Sequence, residues 1–181
     1  MNQSKKKYLL GLCLLAIFFT PKIYANSKFY AGADVTHFGY KEQYVEEANP
    51  IGLTLKIGQN FHKNLAIEGR VGLPLTSDPV IVDYYGEHEI NVEVGPTLGI
   101  YLKPSITVEA LRFYGLAGFT RAKITAEIGG YKFSDTDTSP SFGVGMDLNI
   151  DKITLNVELS HLISTDEYDL TALSLGASYA F

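Results

Sequence analysis

The side chains best equipped for chemistry gather at one place: Ser160, His161, Ser164 and Glu167 put hydroxyls, an imidazole and a carboxylate within one short stretch. A nucleophilic relay needs the imidazole to reach a hydroxyl and a carboxylate to orient the imidazole. In extended chain, successive side chains point to opposite faces. His161 therefore lies across from Ser160, one residue away, and from Ser164, three residues away, which argues against an acyl-transfer site. His161 and His37 read instead as residues at the rim of an apolar surface, and His62 and His88 as a turn and a loop histidine. The acids Glu46 and Glu47, Asp135 and Asp137, and Asp166, Glu167 and Asp169 offer oxygen ligands to Ca²⁺ or Mg²⁺, but none follows the ligand spacing of a known cation loop, and they read as solvated acids. No catalytic, cofactor-binding or metal-binding residue is expected. Eight other charges, Asp34, Lys56, Glu68, Arg70, Glu93, Arg112, Asp147 and Glu158, stand in stretches of small and apolar residues.

Those stretches alternate with a period of two. In the last, Leu173, Leu175, Ala177, Tyr179 and Phe181 share one face, and Ala172, Ser174, Gly176, Ser178 and Ala180 share the other. A strand packed in a water-soluble sandwich would carry Lys, Glu and Thr on its second face. A face of Ala, Gly and Ser suits the crowded interior of a narrow barrel, whose apolar face then meets lipid. Seven earlier stretches repeat the pattern, beginning near Phe29, Ile51, Leu65, Ile90, Leu111, Ser141 and Ile153. In the fourth, Ile90, Val92, Val94, Pro96, Leu98, Ile100 and Leu102 share the apolar face and Glu93 the other. The pattern predicts an all-β fold, an eight-stranded antiparallel up-and-down transmembrane β-barrel.

The links support it. Asn60 to Asn64, Lys103 to Ile106 and Asp151-Lys152 are short, while the alternate links are mostly longer and acidic, the asymmetry of periplasmic turns and outer loops. Gly129-Gly130 predicts a tight hairpin whose strands project as a ribbon until Pro140 disturbs the pairing. Val80 to Val82 predicts an upward extension of the fourth strand. All eight single charges fall on inward faces, so they are expected to pair inside the barrel, because buried charge is costly unless paired. Five acids against three bases predict a protonated acid or trapped water among them.

Lys5, Lys6 and Lys7 precede the apolar run Tyr8 to Phe19, and Ile23-Tyr24-Ala25 offers a cleavage site, so residues 1–25 read as a secretory signal peptide and residues 26–181 as one barrel domain. Cys13, the sole cysteine, falls in that run, which leaves the mature chain without thiol chemistry. With the four leader lysines removed, eleven bases face twenty acids, a net charge of −9. Nucleic acid is thereby an unsuitable partner.

Arg112-Phe113-Tyr114-Gly115-Leu116-Ala117-Gly118-Phe119, Ser141-Phe142-Gly143-Val144-Gly145-Met146-Asp147-Leu148 and the closing Gly176-Ala177-Ser178-Tyr179-Ala180-Phe181 resemble the small eight-stranded outer-membrane barrels: the OmpX/Ail group, the opacity-like proteins and the membrane domain of OmpA. Gly58 to Glu68 resembles their strand-turn-strand pattern. The resemblance implies a bacterial outer-membrane location after Sec export. It also implies a closing strand, with Leu175, Tyr179 and Phe181, that is read by the barrel-insertion machinery. Outer-membrane lipid and lipopolysaccharide are expected neighbours, and the chain is expected to be a monomer. Relatives with adhesion and serum-resistance roles imply a non-enzymatic barrel whose acidic outer loops bind a host or extracellular protein. A lipid A-modifying enzyme is the alternative, although such deacylases place His and Ser two apart on one face, unlike His161 and Ser164. A narrow solute channel is a further alternative, set against a lumen filled by side chains.

Overall fold

The structure is a computed structural model that describes residues 29–42, 47–83, 87–129 and 131–181; the predicted leader lies outside them. Nine strands follow one another: β1 (Phe29–Glu42), β2 (Ile51–His62), β3 (Leu65–Pro74), β4 (Asp78–Asp83), β5 (Glu87–Val108), β6 (Leu111–Ile128), β7 (Tyr131–Ile150), β8 (Ile153–Ser164) and β9 (Tyr168–Ala180). All pairings are antiparallel: β1 to β3 pair in succession, as do β5 to β9, and β1 pairs with β9 and β3 with β5, so eight staves close on themselves. Closure satisfies the backbone of each stave on both sides, as a membrane interior demands. β4 is the ninth piece. It pairs only with the upper part of β5, Asp78 opposite Val92 through Asp83 opposite Glu87, and takes over as the neighbour of β5 where β3 ends.

The sidedness is that of a membrane barrel. Large apolar side chains point outward, among them Val35, Leu55, Leu98, Ile100, Phe119, Val144, Leu159 and Leu175, each more than two-fifths exposed. Their inward neighbours are small, hydroxylated or charged and are buried: Asp34, Lys56, Gly99, Thr120, Glu158 and Ser174. A water-soluble sandwich would show the reverse. Gly58 and Gly145 have a steric reason to lack a side chain, because a Cβ at either would run into the ring of Tyr30 or Tyr114, its register partner on the adjacent strand.

Three features differ from the sequence-based expectation. First, the link placed at Lys103 to Ile106 is strand: β5 runs on to Val108, and the turn is Glu109-Ala110, with Glu109 at φ 56°. Pro104 is tolerated where its partner strand ends, opposite Leu65. Second, Pro140 does not disturb the ribbon. It pairs with Phe119 in a ladder that continues unbroken to Ile128 opposite Tyr131. Third, β5 carries an irregularity between Val94 and Thr97: three steps along β5 match two along β6, from Ile124 to Ala122. The inserted residue falls at Gly95-Pro96, where a bulge needs neither a side chain nor a backbone donor. Beyond it the faces exchange. Leu98 and Ile100 look outward, whereas Val92 and Val94 are buried inside the barrel.

Candidate functional site

The barrel interior is stratified. Nearest the short turns lies a layer of ion pairs. Lys56 Nζ donates to both Asp34 carboxylate oxygens at 2.7 and 2.8 Å and to Asn156 Oδ1 at 2.8 Å. Arg70 makes a fork with Glu158, Nη1 to Oε1 at 2.5 Å and Nη2 to Oε2 at 2.7 Å, while its Nε reaches Glu68 Oε1 at 2.6 Å. Arg112 Nη2 lies 2.6 Å from Asp147 Oδ2. Tyrosines supply further donors: Tyr30 Oη to Glu68 at 2.6 Å and Tyr114 Oη to Glu158 at 2.9 Å. The bidentate guanidinium on Glu158 and the single tyrosine hydroxyl on each of Glu68 and Glu158 help to offset the desolvation of these buried charges.

Seven of the eight charges predicted to face inward meet in this layer. Glu93 does not. The bulge at Gly95-Pro96 turns its segment over, so Glu93 lies on the face opposite Val92 and Val94 and takes no part in the lumen ion pairs. Lys103, read from sequence as part of a link, occupies the lumen instead. Its Nζ lies 3.4 Å from Asp147 Oδ2 and 3.7 Å from Glu68 Oε2, and 3.7 Å from the centroid of the Tyr114 ring. The exchange of one acid for one base changes the balance. Asp34, Glu68, Asp147 and Glu158 now face Lys56, Arg70, Lys103 and Arg112, four against four, so the surplus of acids expected from the sequence is absent. The signal was legible: Thr97, Gly99 and Tyr101 continue with the same parity to Lys103.

Above the ion pairs comes a belt of hydroxyls. Thr36 Oγ1 lies 2.8 Å from Thr54 Oγ1 and 3.1 Å from Ser174 Oγ; Tyr101 Oη meets Thr120 Oγ1; and Ser141 Oγ donates to Leu162 O at 2.8 Å. Toward the long loops the lumen is closed by an apolar cluster. Phe38, Tyr40, Val92, Val94, Ile124, Leu162, Ile163 and Leu170 pack there, with Ile163 and Leu170 wholly excluded from solvent. The sequence reading missed the plug because the β5 bulge hides Val92 and Val94 and because a second irregularity on β8, between His161 and Ile163, buries Leu162 and Ile163 together.

Charge is distributed by zone. The described residues of the loop-bearing end, 40–42, 47–50, 75–83, 87–93, 121–129, 131–139 and 164–169, hold thirteen of the twenty acids and only Lys41, Arg121, Lys123 and Lys132 as bases, a net of −9. There β4, β5, β6 and β7 rise together above the other staves. The pairing of β7 with β8 begins only at Phe142 opposite His161, whereas β6 and β7 stay paired up to Ile128 and Tyr131. On the side away from β6, Tyr131 to Thr138 thus has no strand partner among the described residues, and it displays Tyr131 at 75% and Phe133 at 62% exposure.

His161 lies near the top of β8, its ring 6.2 Å from that of Phe142. Ser164 Oγ donates to Asp169 Oδ1 at 2.9 Å, and His161 Nε2 lies 3.2 Å from the same oxygen. Serine and histidine both address the carboxylate and not each other, so the imidazole is not placed to take the proton of Ser164. Glu167 contributes only a backbone N–H, donated to Thr165 Oγ1 at 3.3 Å. Among the described residues, no three of His, Cys, Asp and Glu are grouped so as to hold a metal. At the other end, Leu175, Tyr179 and Phe181 face outward; the Phe181 N–H donates to Phe29 O at 2.9 Å, and the two rings stack at 6.4 Å.

The sequence model of the outer membrane protein β-barrel domain matches residues 10–181. No curated protein matches the sequence. Among solved structures, the chain is similar to Ail, the attachment invasion locus protein of Yersinia pestis, at a TM-score of 0.63 and 18% identity over 86% of this chain and 99% of that one. Ail is also known in complex with the heparin analogue sucrose octasulfate. Neisserial surface protein A is similar at a TM-score of 0.62 and 12% identity, over 84% and 97% of the two chains. A major outer membrane protein from Thermus thermophilus gives 0.64 and 11%, over 86% and 100%. At such identities the likeness is one of fold.

Proposed function

We propose, from the premise that this chain belongs to the outer membrane protein β-barrel domain family, that it is a non-enzymatic barrel displaying an acidic surface for adhesion to an extracellular or host protein. One observation carries the reading: the described residues of the loop-bearing end carry a net charge of −9, and there the β6–β7 ribbon stands clear with exposed Tyr131 and Phe133. Exposed aromatic side chains are the usual anchors of a protein interface, with polar and charged residues at its rim. The unpartnered edge from Tyr131 to Thr138 offers main-chain hydrogen bonds to an added strand. The sulfated ligand of Ail does not transfer to this surface, because a polyanion would be repelled; the fitting partner is a basic segment. The stratified interior serves this role by holding the ribbon on a rigid stem. In the same reading, residues 1–25 direct Sec export and are removed, the strand ending in Leu175, Tyr179 and Phe181 is what the insertion machinery recognises, and the barrel works as a monomer.

The test uses the full mature chain in lipid nanodiscs, assayed against immobilised basic and acidic extracellular-matrix proteins. Binding to the basic set is expected at low salt, falling steeply toward 0.5 M NaCl, where the Debye length drops to about 4 Å. It should vanish when residues 124–137 are replaced by a two-residue turn. Binding that survives the replacement, or that favours heparin-like polyanions, would overturn the proposal.

A further inference from the structure

The two faces of the β6–β7 ribbon are unlike. Residues directly opposite in a ladder share a face, and buried Ala122 and Ile124 mark the one turned to the barrel axis. Asp137 stands opposite Ala122, Asp135 opposite Ile124, Phe133 opposite Ala126 and Tyr131 opposite Ile128, so all four belong to the axis face. The bases of the ribbon, Arg121, Lys123 and Lys132, have the other parity and stand on the outer face, where Lys132 Nζ lies 3.3 Å from Glu127 Oε2. Among the described residues the axis face is therefore sorted by height, with two acids near the mouth, two exposed aromatic rings above them, and no base. Main-chain groups alternate too. The Thr136 N–H donates to Asp135 Oδ1 at 2.7 Å and so addresses the free edge of β7, as do the main-chain groups of Lys132 and Ser134, which share its parity. Asp137 Oδ2 accepts from Tyr168 Oη at 2.9 Å, and the Tyr168 ring packs on Tyr40 at 5.2 Å, which holds that carboxylate over the mouth.

We propose that the partner is an extended peptide segment added to β7 as an antiparallel strand, with two basic side chains followed by two apolar ones at alternate positions on the axis face. This rests on the reading of the acidic end as a binding surface and specifies what that surface selects. The order follows from direction. β7 descends from Tyr131 to Asp137 toward the mouth, so an antiparallel strand, taking the place above β8, meets Asp137 first and then Asp135, Phe133 and Tyr131. Antiparallel pairing is the arrangement of every other pair in the sheet and the more stable one per residue. When a carbonyl of the segment takes the Thr136 N–H, the Asp135 carboxylate is released to a cation. Opposite charges then meet across the strands near the mouth and apolar side chains meet the two rings above. A segment with the reverse order would set its cations against the rings and its apolar groups against the carboxylates.

The test uses the full mature chain in lipid nanodiscs and two fluorescent peptides of one composition. The first carries lysine, lysine, valine and valine at alternate positions from its N-terminus, with threonine between; the second carries the same residues in reverse order. Anisotropy should show the first binding at least about tenfold more tightly, since each cross-strand pair contributes up to about fivefold. Amide exchange should slow at residues 132, 134 and 136 but not at 133 and 135, whose main-chain groups address β6. Glutamate in place of the second lysine should weaken binding to the wild type about fivefold. Asp135→Lys, at an exposed position where folding is not at issue, should reverse that preference. Equal affinity for the two orders, binding without slower exchange at the three amides, or no reversal in Asp135→Lys would each overturn the strand addition. Each could occur while basic matrix proteins still bind and are lost on replacement of the ribbon, so the surface reading and this one fail separately.

Discussion

Replacing Arg70 by Met tests whether the lower lumen is held by complementary charge. The methionine keeps most of the volume and removes three short contacts at once, the two-bond fork to Glu158 and the Nε bond to Glu68. Glu68 keeps Tyr30 Oη at 2.6 Å and Lys103 at 3.7 Å, whereas Glu158 keeps only Tyr114 Oη at 2.9 Å. Breaking a buried pair by removing one partner costs about 3–5 kcal/mol, and most of that should fall on Glu158. With a denaturant slope of about 1–3 kcal/mol/M in urea, the midpoint should fall by roughly 1–5 M. The assay is urea unfolding of the refolded barrel in lipid. It is followed by circular dichroism and by gel mobility of the unheated protein, since the chain has no tryptophan to report. Adding Glu158→Gln to Arg70→Met neutralises the stranded acid and should restore about half of the loss. A single variant within about 1 kcal/mol of the wild type, or a double variant no better than the single, would refute the claim that these charges are mutually compensating.

Glu93→Gln should change stability by no more than about 0.5 kcal/mol in the same unfolding series, as expected of a surface position, while Glu158→Gln is clearly destabilising; equal effects would return Glu93 to the network. Gly145→Ala drives a methyl group into the Tyr114 ring and should cost about 1–3 kcal/mol, relieved when Tyr114→Leu is added. Leu170→Ala leaves a cavity in the apolar plug and should cost about 2–5 kcal/mol by urea titration; a change below about 1 kcal/mol would mean that the plug is loosely packed.

Much of this architecture could be read from alternation alone. Where one face is Ala, Gly and Ser and the other Leu, Val and Phe, as in β7 and β9, a shift of one residue would put every large side chain in the lumen, so pattern and register are tied together. β5 shows why the reading stopped short. Its even positions are apolar from Ile90 to Leu102, so the sequence carries no mark of the point where the faces exchange except Gly95-Pro96 itself. A Gly-Pro pair within a strand is a bulge signal, and it moves Glu93 out of the lumen as it brings Val92 and Val94 in. Lys103 was missed for a related reason: a Lys-Pro step looks like a link, yet proline is harmless beside the end of a partner strand. The ion pairs were foreseeable as residue types on one face. Which acid meets which base was not, because Arg70 and Glu158 lie 88 residues apart and meet only across the closed barrel.

The most direct measurement of the inside-out arrangement is nitroxide scanning of single-cysteine variants in lipid, made at residues 155 to 160 on β8 and at 92, 94, 98 and 100 on β5. Collisions with dissolved oxygen report contact with the hydrocarbon. High accessibility is expected at 155, 157 and 159 and low accessibility at 156, 158 and 160, with a reversal of phase on β5 between 94 and 98. High accessibility at 156 and 158, or the same accessibility at 92 and 94 as at 98 and 100, would contradict that arrangement.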